Sequence, residues 1–289
     1  MRVIIKKFHY LFLLHAKLLF YIYFVSMNFK ILQSISGFLH SAGNLFITRH
    51  CVVCGRELLQ FEKQFCMECA AEMPLTYFWI FKNNPAEIIF WGRTRIERVF
   101  PLMFFRNDYK RCVYNVKYKG NIPLGLYLGK MLGKKIRACP DKLDTIDYII
   151  PVPLHWRKKI KRGFNQAEII ARGIAAGYAA ERTTACVSGI CERRKTQVLT
   201  NILKRRRFTK TQTQKDRLSR WRNVEDAFKI SNHALSRELR SKNQIHFLLV
   251  DDVLTTGATL EACAGILTKA CGGAGKQCKV SIATLAYVE

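Results

Sequence analysis

Residues 245–270, IHFLLVDDVLTTGATLEACAGILTKA, constrain the fold more than any other part of the chain. Residues 247–250 are a four-residue apolar run with the length and composition of a buried strand. The run stops at two adjacent carboxylates, Asp251 and Asp252. Residues 258–270 have helical composition, with Leu260, Ala264, Ile266 and Leu267 able to form an apolar stripe. The segment reads as strand, tight turn and helix, half of a βα unit, and it predicts an α/β fold. In open α/β sheets, ligands bind beyond the carboxyl ends of the strands. Gly257 lets backbone approach a ligand there, between the hydroxyls of Thr255, Thr256 and Thr259, and Ala258 opens the helix. Free N–H groups at the helix start, with the positive end of its dipole, favour a phosphate. Asp251 and Asp252 repel that phosphate, so they face sugar hydroxyls or a divalent cation held by oxygen. A ligand with a phosphate at one end and a diol close by is a ribose 5-phosphate. A turn that merely capped a helix would need one Asp or Thr, not this whole arrangement.

The second strong pattern is Cys51-x-x-Cys54 followed by Cys66-x-x-Cys69. Zinc takes four ligands at tetrahedral angles, and a CxxC knuckle supplies two from one tight turn, which Gly55 suits. Four thiolates close the coordination sphere and leave no position for a reactive water, so the expected role is structural. A module of this size cannot build a core, so metal binding would supply its folding energy. The remaining cysteines among the eleven are scattered, as expected of reduced thiols in a cytoplasm.

The formal charge of +27 is unevenly spread. Residues 151–222 hold 19 Lys and Arg against four acids (Glu168, Glu181, Glu192 and Asp216), a surplus that suits a polyanion. Within PVPLHWRKKIKRGFNQAE, a strand end precedes the cations Arg157, Lys158, Lys159, Lys161 and Arg162, then Gly163 and a helix. Such a cluster is poorly placed at a helix N-terminus unless an anion joins it. Trp156, Phe164 and Trp221 lie between basic residues, and Arg205, Arg206 and Arg207 form a further basic patch. Aromatic faces among cations suit single-stranded nucleic acid, with Arg205, Arg206, Arg207 and Trp221 as candidates.

Four regions are expected. Residues 1–26 are an apolar extension for which a membrane span, a signal peptide and translated upstream sequence before Met27 are the readings. Lys17 within the apolar run makes a span expensive, and the third reading is the expectation. Residues 28–73 are an amphipathic helix and the four-cysteine module. Residues 74–140 connect, with no clean periodicity up to Phe105, a turn at FKNNP and helices over 106–118 and 123–138. Residues 141–289 form the α/β domain, with a first strand in IDYIIPVP, a helix over 165–179 and a closing strand in CKVSIATLAYV.

FLLVDDVLTTGAT resembles the binding signature for 5-phosphoribosyl 1-pyrophosphate (PRPP) of type I phosphoribosyltransferases. CVVCGRELLQFEKQFCMECA, NVKYKGN, IIPVPLHWRKKIKRGFNQAEIIA and TKTQTQKDRLSRWRNVEDAF are similar to the ComF/GntX family, whose members are linked to competence and DNA uptake. The resemblance implies a type I phosphoribosyltransferase-like parallel sheet flanked by helices, preceded by a small zinc-ribbon module. It implies PRPP with Mg²⁺ at Asp251, Asp252, Thr255, Thr256, Gly257, Ala258 and Thr259. By position, His155, Arg157, Lys158, Lys159, Lys161, Arg162 and Gly163 resemble the pyrophosphate loop. Residues 193–228 resemble the long loop that closes over PRPP, the family pattern falling on Thr211, Gln212, Arg217, Arg222, Asn223 and Phe228. Two functions follow from it. One is a glycosyltransferase that moves the phosphoribosyl group to an acceptor the sequence does not identify. The other is a non-catalytic factor of the uptake machinery that binds single-stranded DNA and keeps the PRPP site as a sensor or relic. Either is expected in the cytoplasm, with peripheral contact to the inner membrane as the variant.

Overall fold

The chain is built around a five-stranded sheet in which every neighbouring pair runs parallel. The computed structural model describes residues 48–140, 146–179, 196–205, 227–231, 235 and 243–289. In chain order the elements are α1 (Met67–Ala71), α2 (Pro85–Ile88), β1 (Val99–Phe104), α3 (Lys110–Tyr118), α4 (Ile122–Arg137), β2 (Tyr148–Pro151), α5 (Trp156–Arg162) and α6 (Gln166–Ala179). They continue with β3 (Gln197–Val198), β4 (Leu203–Arg205), β5 (Phe228–Ile230), β6 (Gln244–Leu254), α7 (Ala258–Gly273) and β7 (Gln277–Tyr287). The sheet order is β1-β7-β6-β2-β3, and β4 pairs antiparallel with β5 in a separate ribbon. This is the expected α/β fold with a parallel sheet and flanking helices. Residues 1–47, which include the amphipathic helix expected over 28–48, lie outside the described residues, as do Arg206, Arg207, Thr211, Gln212, Arg217, Trp221, Arg222 and Asn223.

Cys51–Arg56 and Glu62–Glu289 form one unit, and His50 with Glu57–Phe61 belongs to a second. In the second, His50 bridges Glu57, and the Arg49 guanidinium donates to the carbonyls of Leu59 (3.1 Å) and Gln60 (3.0 Å). Among the described residues no helix is long and apolar enough to cross a membrane.

Strands β6 and β7 read as near-continuous apolar runs because helices cover both faces of a parallel sheet. Ten residue pairs join them in register, from Gln244 opposite Gln277 to Leu254 opposite Tyr287. Their buried polar pair is satisfied: His246 Nε2 lies 2.9 Å from Ser281 Oγ.

Strand β1 lies in the stretch without periodicity and is an unanticipated member of the sheet. Among the described strands its one neighbour is β7, with a single bridge from Leu75 to Met103 on its other side, so Pro101 costs no ladder bond between central strands. The FKNNP turn is present: Asn83 has φ 58°, and the Asn84 side chain accepts from the amides of Ala86 and Glu87 at the start of α2. Beneath it Arg98, 1% exposed, donates from Nε to Glu87 Oε1 at 2.9 Å and from Nη2 to the carbonyls of Phe81 (2.9 Å) and Phe78 (3.3 Å).

Helices α3 and α4 fall near their expected positions; α3 starts later because Asn107–Tyr109 is a 3₁₀ turn. Helix α4 packs on α6 through a seam of glycines. A Cβ added at Gly129 or Gly133 would collide with the carbonyl of Ile170 or Ile174, and one at Gly173 or Gly177 with that of Leu126 or Lys130. The two backbones therefore touch directly.

Candidate functional site

The four cysteines form the first site. Their sulfurs all lie within 4.8 Å of one another, with Cys51, Cys66 and Cys69 buried and Cys54 exposed. Gly55 at φ 79° turns the chain so that its amide meets the Cys51 carbonyl at 2.9 Å, the knuckle expected of a CxxC pair. Cys66 caps α1, its sulfur accepting from the Cys69 amide at 3.5 Å. Burial raises the Cys51 thiol, but the backbone amides of Cys54, Cys66 and Val53 outweigh it and bring it down to about 6. The cluster is suited to hold a structural zinc ion through four sulfurs. Two hydrogen bonds fix the module to its neighbours: Tyr109 donates to the Cys69 carbonyl and Arg111 to the Val53 carbonyl, both at 2.7 Å.

The second site lies at the carboxyl ends of β2 and β6. From β2 the chain passes to β3 on one side of it, while β6 lies on the other, so connections diverge at the β2–β6 boundary. That boundary is where open α/β sheets place a ligand crevice. Asp252, 5% exposed, is held there by two side chains. Lys117, from the end of α3, places Nζ 3.0 Å from Oδ1, and Gln166, the first residue of α6, donates to Oδ2 at 3.1 Å. Asp251 accepts the Asp252 amide at 2.8 Å. Burial, then the neighbouring Asp252 carboxylate, pushes Asp251 up to about 7.

The turn that follows holds the rest of the motif. Thr255 and Thr256 are exposed, and Ala258 and Thr259 are half-buried. Helix α7 begins at Gly257 with no side-chain cap, so its first amides point out of the turn. The glycine has a second reason besides ligand approach. Its φ is 74°, and a Cβ there would lie 2.8 Å from the Phe90 ring.

The basic stretch expected as a loop is the short helix α5. His155 is buried and its Nδ1 accepts the Arg157 amide at 3.3 Å, so this side chain caps the helix. Gly163, at φ 79°, ends it with its amide on the Lys159 carbonyl at 2.7 Å. Arg157, Lys159 and Lys161 are exposed, whereas Lys158 and Arg162 are half-buried. Arg162 reaches Gln166 Oε1 at 3.0 Å and lies 4.9 Å above the Tyr118 ring. Lys158 is lowered first by burial and then by the charges of Arg205, Arg162 and Lys117. Arg205 sits over the Phe228 ring at 5.2 Å and feels Asp251.

Lys117 and Gln166, which hold Asp252, were not among the candidate residues, although both lie in motifs that carry the family resemblance. The Mg²⁺ expected with PRPP does not fit these side chains: both oxygens of Asp252 already face nitrogen donors, and Asp251 is held toward its protonated form. Among the described residues, the four cysteines are the only group of three or more side chains placed to hold a metal ion.

No protein-family model matches the chain. It is 25% identical over 245 residues to competence protein F of Haemophilus influenzae, covering 80% of this chain and 90% of that protein. It is 22% identical over 221 residues to the DNA utilization protein YhgH of Escherichia coli, covering 76% of this chain and 84% of that one. The protein of the same name from Salmonella typhi is 30% identical over 159 residues, covering 54% and 60%. The resemblance to the ComF/GntX family carried by the motifs is thus borne out along most of the chain.

Proposed function

We propose that the chain binds PRPP at the β2–β6 crevice and acts on single-stranded DNA during competence or DNA utilisation. One observation carries the ligand reading. A carboxylate pair, an uncapped helix start and the cation Lys117 meet where the sheet topology opens a crevice, and Arg162 joins them through Gln166. In this reading Asp251 and Asp252 take the ribose hydroxyls, residues 255–259 take the 5-phosphate, and the cations take the pyrophosphate. Transfer would break the bond from C1 to pyrophosphate, with an acceptor closing on an oxocarbenium-like C1. Pyrophosphate release, measured with PRPP against a panel of bases, amines and nucleic acids, separates turnover from binding alone. The proposed place for this work is the cytoplasm, which keeps thiols reduced.

Isothermal calorimetry tests the assignment. Asp251→Asn combined with Asp252→Asn should weaken PRPP by about 1.5–3 kcal/mol, the usual worth of charge-assisted hydrogen bonds. Equal affinity for the double variant and the parent would place the ribose elsewhere.

The DNA reading draws on the names of the relatives and on the exposed face of α5. Trp156 is 57% exposed with Arg157 stacked 5.2 Å from it, and Tyr114 pairs with Tyr118 nearby on α3. Bases stack on such rings for about 1–3 kcal/mol each. Binding of a single-stranded oligonucleotide should weaken with salt at a log–log slope near −0.7 per phosphate contact. Neutralising Arg157 and Lys161 should flatten that slope by about one to two units. Trp156→Ala should lower affinity at every salt concentration. A fluorescence titration with no binding at low salt would leave PRPP as the ligand and remove DNA.

A further inference from the structure

The acidic end of β6 already has a cation. Lys117 Nζ lies 3.0 Å from Asp252 Oδ1, and its side chain is only 24% exposed. Gln166 occupies the other oxygen at 3.1 Å, and the backbone amide of Asp252 occupies Asp251 Oδ1 at 2.8 Å. Magnesium demands near-octahedral oxygen coordination at about 2.0–2.1 Å and gives up water reluctantly. To bind Asp252 it would have to share these oxygens with an ammonium and a carboxamide, beside the positive charges of Lys117 and of Arg162, which reaches Gln166. An ammonium is a compact charge with three donors. One of Lys117's meets Asp252, which leaves two for oxygens of a ligand.

We propose that Lys117 stands in place of a divalent cation at this site, joining Asp252 to the sugar-phosphate oxygens of the ligand, so that binding requires no Mg²⁺. The inference rests on the reading of the crevice as a PRPP site. It also assigns a task to the NVKYKGN segment: helix α3 exists in part to deliver one lysine to β6.

Two measurements on the full chain decide it. In the first, PRPP is titrated in Mg²⁺-free buffer without chelator, which spares any metal on the cysteines, and again with Mg²⁺ added. The parent should bind with little difference between the two. Lys117→Met should lose at least about tenfold in the Mg²⁺-free buffer, the loss of one charge-assisted hydrogen bond. Lys117→Arg should retain most of the affinity. Binding by the parent that vanishes without Mg²⁺ overturns the proposal, as does an equal loss in both lysine variants. In the second, Mn²⁺ is titrated into ligand-free protein and followed by electron paramagnetic resonance. The parent should show no Mn²⁺ binding that Asp252→Asn removes, whereas Lys117→Met should gain such a site. Asp252-dependent Mn²⁺ binding by the parent refutes the lysine's role. If PRPP fails to bind under every condition, the PRPP reading falls, and the Mn²⁺ titration still decides whether Lys117 excludes a divalent ion.

Discussion

Protein purified without chelator is expected to carry one zinc ion per chain, and Cys66→Ser to release it and unfold residues 51–73. The expectation is large because little else holds this segment. Its only helix has five residues, and two of the bonds that shape it, from the Gly55 amide to the Cys51 carbonyl and from the Cys69 amide to Cys66 Sγ, end on the cysteines themselves. Zinc supplies about 10–16 kcal/mol of apparent binding free energy in four-ligand modules of this size, and that energy is folding energy. Cys66 is the strongest test: it is buried, caps α1 and lies 3.7 Å from Cys54 Sγ. The α/β sheet should survive, since its pairings lie among strands that the module does not enter. Metal analysis and limited proteolysis read both parts. Protein with no bound zinc, or a serine variant that keeps it, would remove the metal assignment.

Arg98→Met is expected to destabilise the fold by about 3–5 kcal/mol, the cost of leaving one partner of a buried ion pair alone. Glu87 would keep the Asn83 and Val99 amides and the Asn84 side chain but lose its counter-charge, and the carbonyls of Phe78 and Phe81 would lose a donor. Cys139 would lose its guanidinium contact at 3.4 Å. Changing Glu87 to Gln in the same chain should recover part of the loss, because the buried charge goes while an acceptor for Asn84 and Val99 stays. Denaturant unfolding of the two single variants and the double variant measures the coupling. A loss below about 1 kcal/mol for Arg98→Met would mean that the pair is solvated in solution, contrary to its burial.

Local signals read well and non-local ones did not. The apolar run before Asp251, the turn at Gly257 and the helix after it depend on neighbours in sequence, and they stand where the sequence puts them. The cysteines of each pair are brought together locally, the first by the turn at Gly55 and the second by the start of α1. Strand β1 escaped because Pro101 argues against a strand until its edge position is known. The His155 ring caps α5 through Nδ1, a role decided by where the Arg157 amide points and not visible in the basic run that follows it. Phe90, which closes the space beside Gly257, is far away in sequence, and no local pattern links the two. Lys117 and Gln166 reach Asp252 only because α3 and α6 both end at the crevice. A lysine in a polar junction carries no mark of such a destination.

The glycine seam between α4 and α6 bears on how this protein can change. A core of leucines and isoleucines tolerates exchange, since side chains rotate and neighbours refill the space. Gly129, Gly133, Gly173 and Gly177 face main-chain carbonyls, which have no rotamers to offer. Even alanine, the smallest replacement, would force the helices apart along their whole contact. That would shift Gln166 at the head of α6 away from Asp252. Drift in this chain is thus channelled away from the seam: the positions with the least chemistry are among those with the least freedom.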